Sequence, residues 1–265
     1  MQQAAFDQAR IPACYVPFEI PPRQLRRGLA LLRRLGVAGF NVTVPHKERI
    51  LRSLDRVDRA ARQLGAVNTV VCRGSRWFGY NTDASGLLRA WRRVPRLRRR
   101  GATVLVLGAG GAARAVLWAL TRLHVGRVAI ANRTAARARA LQRWNRDARI
   151  GLAVESVPWR DRQRWTEQHR PRLIVNATSL GLTASDALPL RISQLSKQTV
   201  IYDLAYRQPT TALITQARRR GLLAYDGRDM LLYQGAAAFE LWTKRAAPVA
   251  CMERALQRAL SQESR

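Results

Sequence analysis

One of the few lysines in this arginine-rich chain, Lys47, is the first candidate for a catalytic residue. Lys47 is one of only three lysines among 47 lysines and arginines, and it ends the stretch Asn41-Val42-Thr43-Val44-Pro45-His46-Lys47. Arginine stays protonated in proteins, whereas lysine can release a proton. A lysine in this turn-like setting therefore suggests proton transfer. The alternative is a solvated lysine at the start of a helix.

A second candidate is Asp83, which ends Asn81-Thr82-Asp83 at the mouth of a helix that we predict to begin near Ser85. An aspartate at that position can cap the helix by accepting hydrogen bonds from backbone N–H groups. On these residues alone, the capping role and a chemical role both stay open.

A glycine-rich turn indicates an anion site. Gly108-Ala109-Gly110-Gly111-Ala112-Ala113 follows the apolar run Thr103–Leu107 and opens a predicted helix. Glycines let the backbone approach a pyrophosphate closely, and a helix N-terminus offers it unpaired N–H groups. Ala113 replaces the third glycine, which the fingerprint permits. The strand, turn and helix together predict a dinucleotide site.

The end of the second strand of this region indicates which dinucleotide binds. A protein that selects NAD usually places Asp or Glu about 20 residues after the glycines, where it holds the ribose 2′-hydroxyl. This chain has Asn132-Arg133-Thr134 there, followed by Arg137. The missing acid favours NADP, and an arginine accommodates its 2′-phosphate.

The elements around these residues indicate the fold class. Apolar runs of strand length occur at Thr103–Leu107, Val128–Ala131, Leu173–Asn176 and Val200–Asp203, with a helix at Thr134–Trp144 after the second run. Strands that alternate with helices predict a doubly wound α/β domain with a parallel sheet.

The first 83 residues predict a smaller α/β domain. We expect strands at Cys14–Phe18, Phe40–Val44, Val67–Cys72 and Trp77–Gly79, the last two forming a hairpin, and we expect Lys47 to open a helix. Two further helices, Gly227–Trp242 and Val249–Ser261, follow the dinucleotide-binding region without a strand between them. We expect these helices to pack back on the first domain.

Composition limits the class of protein. The three cysteines and three histidines are scattered, which predicts no disulfide framework and no metal site. No apolar run approaches the length that spans a bilayer, so we expect a soluble cytoplasmic protein with no membrane partner.

The net charge of +30 comes from arginines spread over every segment, without a nucleic-acid-binding motif. It predicts salt-sensitive sticking to polyanions and no specific nucleic-acid partner.

Several motifs in one order resemble the shikimate dehydrogenase family over nearly the whole chain. They are Asn41 to Lys47, Gly65-Ala66-Val67-Asn68-Thr69, Asn81-Thr82-Asp83, the turn from Gly108, Asn176-Ala177-Thr178-Ser179, and Gly227 to Gln234. The resemblance implies reversible reduction of 3-dehydroshikimate to shikimate by NADPH, in the route to chorismate and the aromatic amino acids. It also implies a catalytic pair formed by Lys47 and Asp83.

The same resemblance implies further site residues and a domain arrangement. Substrate-binding positions are Thr43, Asn68, Tyr206 and Gln234. Cofactor contacts are Gly108, Ala109, Gly110, Gly111, Ala112, Asn132, Arg133, Thr134, Arg137, Leu204 and Gly227. Residues 1–83 would form the substrate domain, 84–226 a Rossmann-type NADP-binding domain, and 227–265 the C-terminal helices that complete the substrate domain. We expect a monomer or a homodimer.

One departure from the family pattern concerns the substrate carboxylate. Members begin with a strand and a His-Ser-x-Ser-Pro motif whose serines bind that carboxylate, whereas Met1–Phe6 aligns with the helix after the motif. Either the start was assigned too late, or the protein is shortened. Loss of two hydroxyl donors, at about 1.5–3 kcal/mol per hydrogen bond to a charged group, would weaken substrate handling at least tenfold.

Two other functions stay open at this level. One is a relative that oxidises quinate or another cyclic polyol acid, with broader specificity and perhaps with NAD. The other is an N-terminally truncated homologue that binds NADP and has little or no activity.

Overall fold

The structure, a computed structural model, describes residues 1–94, 100–181, 183, 186–206 and 210–262. Its α-helices are α1 Gln2–Gln8, α2 Leu25–Arg34, α3 Arg59–Leu64, α4 Thr82–Arg92, α5 Gly111–Thr121, α6 Ala135–Asp147, α7 Arg162–His169, α8 Ala212–Arg219, α9 Arg228–Thr243 and α10 Val249–Gln262. Its strands are β1 Gly39–Asn41, β2 Arg56–Val57, β3 Thr69–Arg73, β4 Arg76–Tyr80, β5 Thr103–Leu107, β6 Arg127–Asn132, β7 Val154–Pro158, β8 Leu173–Asn176, β9 Val200–Asp203 and β10 Ala224–Asp226. Short 3₁₀ helices lie at Pro22–Gln24, Arg49–Ser53, Trp159–Asp161 and Ile192–Gln194.

Two compact units make up the chain. The first comprises Met1–Gly86 and Leu232–Arg258, and the second comprises Leu87–Leu231 and the residues from Ala259 on. Helices α4 and α9 each begin in one unit and end in the other. Among the described helices, none is long and apolar enough to cross a membrane.

The first unit contains a four-stranded sheet in the order β1-β3-β4-β2. Strands β3 and β4 form an antiparallel hairpin in which Arg73 pairs with Arg76. Gly74 in the two-residue loop has φ +57°, the left-handed conformation that tight hairpin turns favour. The apolar face of the sheet packs on α2, where Leu29 and Leu32 are buried.

The predicted strand Cys14–Phe18 is wrong, because this segment belongs to no strand. Its Tyr15 binds side chains instead: the backbone N–H donates to Gln3 Oε1 at 2.9 Å, and the hydroxyl donates to Asn41 Oδ1 at 2.8 Å. A cavity of about 620 Å³ with largely apolar walls, including Phe18 and Phe40, lies beside it. An alternating apolar pattern forms a strand only where a neighbouring backbone completes the ladder.

Two other expectations for this unit need correction. The predicted strand Phe40–Val44 is observed as β1 Gly39–Asn41, so the strand begins one residue earlier and Val42, Thr43 and Val44 lie outside it. Lys47 lies in a turn and does not open an α-helix; a 3₁₀ helix begins two residues later, at Arg49. The His46 N–H donates to Thr43 O at 2.9 Å, and the Ile50 N–H donates to His46 O at 3.0 Å, so hydrogen-bonded turns connect this segment to the 3₁₀ helix.

Helices α1, α9 and α10 pack together around a second apolar cluster of the first unit. Phe6 of α1 lies 5.5 Å from Phe239 of α9, measured between ring centroids. Met252 of α10 is fully buried in the same cluster. This packing ties the C-terminal helices to the N-terminal residues of the chain.

The second unit contains a six-stranded, entirely parallel sheet in the order β10-β9-β8-β5-β6-β7. Apolar clusters cover both faces of its central strands. The predicted bounds of β5, β8 and β9 match the structure, and β6 is one residue longer at each end. The α/β class with a doubly wound parallel sheet is confirmed.

Candidate active site

The proton-handling pair predicted from the sequence meets within the first unit. Lys47 Nζ lies 2.7 Å from Asp83 Oδ2. The side chain of Lys47 is 29% exposed and that of Asp83 is 19% exposed, so both are partly accessible to solvent. A backbone hydrogen bond from Val67 N–H to Lys47 O, at 2.8 Å, holds the turn that carries the lysine.

The capping role considered for Asp83 is wrong. Helix α4 begins at Thr82, so Asp83 lies within its first turn, and Asn81 Oδ1 accepts the Ala84 N–H at 3.2 Å. Asn81 is therefore the capping residue. The carboxylate of Asp83 binds the side chains of Asn68 and Lys47, one on each oxygen.

Asn68 lies behind this pair and is almost fully buried. Its Nδ2 donates to Asp83 Oδ1 at 2.9 Å and to Thr82 Oγ1 at 3.0 Å, and it lies 3.4 Å from Gln234 Oε1. Its Oδ1 accepts the Thr82 backbone N–H at 2.7 Å. Asn68 thus orients the carboxylate of Asp83 and connects it to α9.

The other predicted substrate residues lie in different places. Gln234 is in α9, where its backbone touches Gly86 of α4 so closely that a Cβ on that glycine would lie 2.5 Å from the Gln234 nitrogen. Thr43 is exposed and lines the cavity beside Phe40. Tyr206 follows β9 in the second unit and is 36% exposed. The first unit therefore brings together Lys47, Asp83, Asn68 and Gln234.

The glycine-rich turn has the geometry of an anion site. Gly108 has φ +104°, and a Cβ there would lie 2.7 Å from Ala177 O, so this position requires glycine. Gly110 and Gly111, by contrast, have open space where a side chain would point. Gly110 precedes α5 and has no side chain to cap it, which leaves N–H groups of the first turn for a ligand. These residues fit the pyrophosphate of a dinucleotide.

The end of β6 carries the residues that would choose the cofactor. Asn132 Nδ2 donates to Thr134 O at 2.9 Å and shapes the loop. Arg133 and Arg137 are exposed, and residues 132–137 include no acidic side chain. A positive, acid-free loop fits a 2′-phosphate better than a free 2′-hydroxyl.

A buried carboxylate supports the loops near these strand ends. Asp203 at the end of β9 is fully buried and accepts hydrogen bonds from Asn176 Nδ2, Thr211 Oγ1 and Ala205 N–H at 2.8–3.1 Å. Burial raises the pKa of Asp203 to about 6, although these three hydrogen bonds oppose the rise. The predicted contact residue Leu204 follows it directly, and its carbonyl touches Gly227.

Comparison with known proteins identifies the family. Models of the shikimate dehydrogenase substrate binding domain, of shikimate / quinate 5-dehydrogenase and of the shikimate 5′-dehydrogenase C-terminal domain match residues 1–70, 90–153 and 227–257. Shikimate dehydrogenase (NADP(+)) of Moorella thermoacetica is 43% identical over 268 residues, which cover 100% of this chain and 89% of that protein. This chain belongs to the shikimate dehydrogenase family.

Solved structures of the family have the same fold. Shikimate 5-dehydrogenase of Thermus thermophilus, in complex with NADP(H) and shikimate, is 38% identical with a TM-score of 0.83, covering 97% of this chain and 92% of that one. Quinate dehydrogenase of Corynebacterium glutamicum, in complex with NAD, is 30% identical with a TM-score of 0.89 and the same coverage. The fold alone therefore does not separate the shikimate and quinate members of the family.

Two residues near the pair, Thr69 and Thr82, have no role among the predictions from the sequence. Thr69 Oγ1 and Thr82 Oγ1 lie 3.0 Å apart, and both are within 3.2 Å of Asn68 Oδ1. The available signal was that each threonine directly follows an asparagine in a motif shared with the shikimate dehydrogenase family.

Proposed function

We propose that this protein catalyses the reversible, NADPH-dependent reduction of 3-dehydroshikimate to shikimate in the cytoplasm. The observation that carries the proposal is the 2.7 Å contact between Lys47 Nζ and Asp83 Oδ2 in a chain of this family. We propose the first unit as the substrate domain and the second as the nucleotide domain.

The chemistry assigns distinct tasks to the pair. NADPH, when bound, supplies the hydride. The ketone oxygen of the substrate then carries negative charge and needs a proton, which the Lys47 ammonium donates. The Asp83 carboxylate accepts a hydrogen bond from that ammonium at 2.7 Å and holds it in place. In the oxidation direction, neutral Lys47 accepts the proton from the substrate hydroxyl.

The remaining polar residues serve the hydroxyls and carboxylate of the substrate. We assign Gln234 and Asn68 to the side of the ring near the catalytic pair, because both side chains lie next to Asp83 or its amide partner. Thr43 offers a hydroxyl on the exposed turn before Lys47. Tyr206 offers a phenolic hydroxyl for the substrate carboxylate.

For the cofactor, Gly108 to Ala112 would hold the pyrophosphate at the start of α5. Asn132, Arg133, Thr134 and Arg137 would hold the 2′-phosphate of the adenosine ribose. Leu204 and Gly227, which touch each other, would line the nicotinamide side. Replacing Arg133 with Ala should raise the KM for NADP at least tenfold and leave the KM for NAD within twofold, because only NADP carries the phosphate.

The function is tested by the reduction of NADP with shikimate. The wild-type protein should turn over, Lys47→Ala should lose activity, and Asp83→Asn should be strongly reduced. Lys197→Ala removes another lysine, which is exposed and outside these motifs, and should retain wild-type turnover. Retained activity in both Lys47→Ala and Asp83→Asn would refute the catalytic assignment.

Quinate oxidation is the second candidate. The similarity to a quinate dehydrogenase in complex with NAD favours it, whereas the acid-free loop at Asn132 to Arg137 argues for NADP. Side-by-side kcat/KM values for shikimate and quinate, each with NADP and with NAD, distinguish the two. A higher kcat/KM for quinate with NAD would replace the shikimate assignment.

A further inference from the structure

Two threonine hydroxyls are buried behind the proposed catalytic pair. Thr69 has no exposed surface, and Thr82 is 2% exposed. Asn41 Nδ2 donates to Thr69 Oγ1 at 3.1 Å, and Thr69 Oγ1 lies 3.0 Å from Thr82 Oγ1. Since Asn41 already supplies a hydrogen to Thr69, the Thr69 hydroxyl is left to donate onward to Thr82 or to Asn68.

The amide of Asn68 fits this surrounding in one orientation. The Thr82 backbone N–H, which can only donate, lies 2.7 Å from Asn68 Oδ1. The ionised Asp83 carboxylate, which can only accept, lies 2.9 Å from Asn68 Nδ2. A half-turn of the amide would place donor against donor and acceptor against acceptor in a buried site.

The Thr82 hydroxyl touches both ends of the same amide. Its Oγ1 accepts from Asn68 Nδ2 at 3.0 Å and lies 3.2 Å from Asn68 Oδ1. Together with its backbone N–H, Thr82 therefore makes three contacts with one side chain. Asn68 in turn holds only Oδ1 of Asp83, which leaves Oδ2 directed at Lys47.

We infer that Thr82 is a positioning residue of the reaction: its hydroxyl fixes the Asn68 amide, and the amide fixes the Asp83 carboxylate against Lys47. The inference rests on the proposed function for the roles of Lys47 and Asp83. Thr82 touches neither the lysine nor the reacting atoms in this scheme, and it acts through Asn68. The Thr69 hydroxyl, 3.0 Å from the Thr82 hydroxyl, helps to hold that hydroxyl in place.

The first test compares two substitutions of Thr82. Thr82→Val keeps the shape and the backbone N–H but removes the hydroxyl, and it should lower kcat about tenfold, the effect of losing one orienting hydrogen bond. Thr82→Ser keeps a hydroxyl and should restore kcat to within about threefold of wild type. Thr243→Val removes a hydroxyl that binds Phe239 O in α9 and should leave kcat unchanged. Equal losses in Thr82→Val and Thr82→Ser would overturn the inference.

The second test asks whether Thr82 acts through Asp83. Thr82→Val should lower kcat about tenfold in the wild-type background and less than about twofold in an Asp83→Asn background, because the carboxylate it positions is gone. The same factor in both backgrounds would overturn the inference while leaving the proposed function intact.

The urea midpoint of unfolding provides a readout that does not need activity. The combined Thr82→Val and Asp83→Asn substitutions should shift the midpoint by less than the sum of their separate shifts, because both disrupt one network. A wild-type protein without turnover on any cyclic polyol acid would sink the proposed function. In that case, a double variant whose midpoint shift is smaller than the sum of the single shifts would still support the hydrogen-bond network from Thr82 to Asp83. A shift equal to that sum would reject the network.

Discussion

Replacing Gly86 in α4 with Ala should displace Gln234, a proposed substrate-binding residue in α9. A Cβ at residue 86 would lie 2.5 Å from the nitrogen of Gln234, 2.7 Å from its Cα and 2.8 Å from its Cβ. Ordinary contacts begin at 3.4 Å, so α4 and α9 must separate by about 0.9 Å (3.4 minus 2.5) at this point. The atoms it meets first are backbone atoms, which cannot rotate away.

Two effects of Gly86→Ala on the free energy of unfolding have opposite signs and partly cancel. Nothing offsets the effect on the rate of the reaction. Overpacking costs about 1–3 kcal/mol, and alanine gains about 1 kcal/mol over glycine in a helix, so net destabilisation should be about 0–2 kcal/mol. A shift approaching 1 Å in a positioning residue can cost up to about 100-fold in rate. We therefore expect kcat/KM for shikimate to fall at least about tenfold.

Urea unfolding and steady-state kinetics with shikimate and NADP measure the two effects. Gly28→Ala in α2 is the matched control, because the three heavy atoms nearest to a Cβ there, at 2.6–3.1 Å, all belong to the side chain of Ile20 and none to the backbone. It should keep kcat/KM and gain up to about 1 kcal/mol of stability. A Gly86→Ala protein that is stabilised by about 1 kcal/mol with unchanged kcat/KM would show that the close contact between α4 and α9 is not a constraint.

Two further predictions concern titratable groups, the buried carboxyl of Asp203 and the half-buried thiol of Cys72. The pKa of Asp203 is raised from 3.8 to about 6 in the folded protein, so its favourable contribution is present at low pH and is lost as pH rises through 6. Relative to Asp203→Asn, the wild-type free energy of unfolding should fall by up to about 3 kcal/mol between about pH 4 and pH 7; a pH-independent difference, measured by urea titration, would contradict this. Burial raises the pKa of the Cys72 thiol to about 11, so an alkylating reagent at about pH 8 should modify the exposed Cys14 and spare Cys72 in mass-spectrometric peptide analysis. Comparable labelling of both thiols would refute it.

The central strands were predictable because both of their faces are buried. β5, β8 and β9 are almost entirely buried. Strands that are buried on both faces consist of continuous apolar residues, and such runs can be recognised in the sequence. The edge strands β7 and β10 were missed. β7 contains Glu155 and Ser156, which interrupt its apolar residues, and β10 has only three residues.

The segment Cys14–Phe18 failed for a different reason. Its apolar pattern is local, but a strand also needs a hydrogen-bonding partner that the local sequence does not reveal. In the structure, the Tyr15 backbone N–H binds a glutamine side chain where a ladder would supply a carbonyl.

The site was predictable in its residue types and less so in its connections. Lys47 was identified by its rarity and its motif, and Asp83 by its motif. The choice between a capping and a chemical role for Asp83 required the start of α4, which is at Thr82 and not near Ser85. The contacts of Thr82 with Asn68 join segments 14 residues apart and required the structure.

The central claim is that Lys47 transfers a proton, and Lys47→Arg tests it most directly. Arginine keeps the positive charge and can still pair with Asp83, but it cannot release a proton. In the reduction of NADP by shikimate, we expect kcat of Lys47→Arg to fall at least about 100-fold while the KM for NADP changes less than about threefold. A Lys47→Arg protein with kcat within about threefold of wild type would contradict it, because charge alone would then suffice.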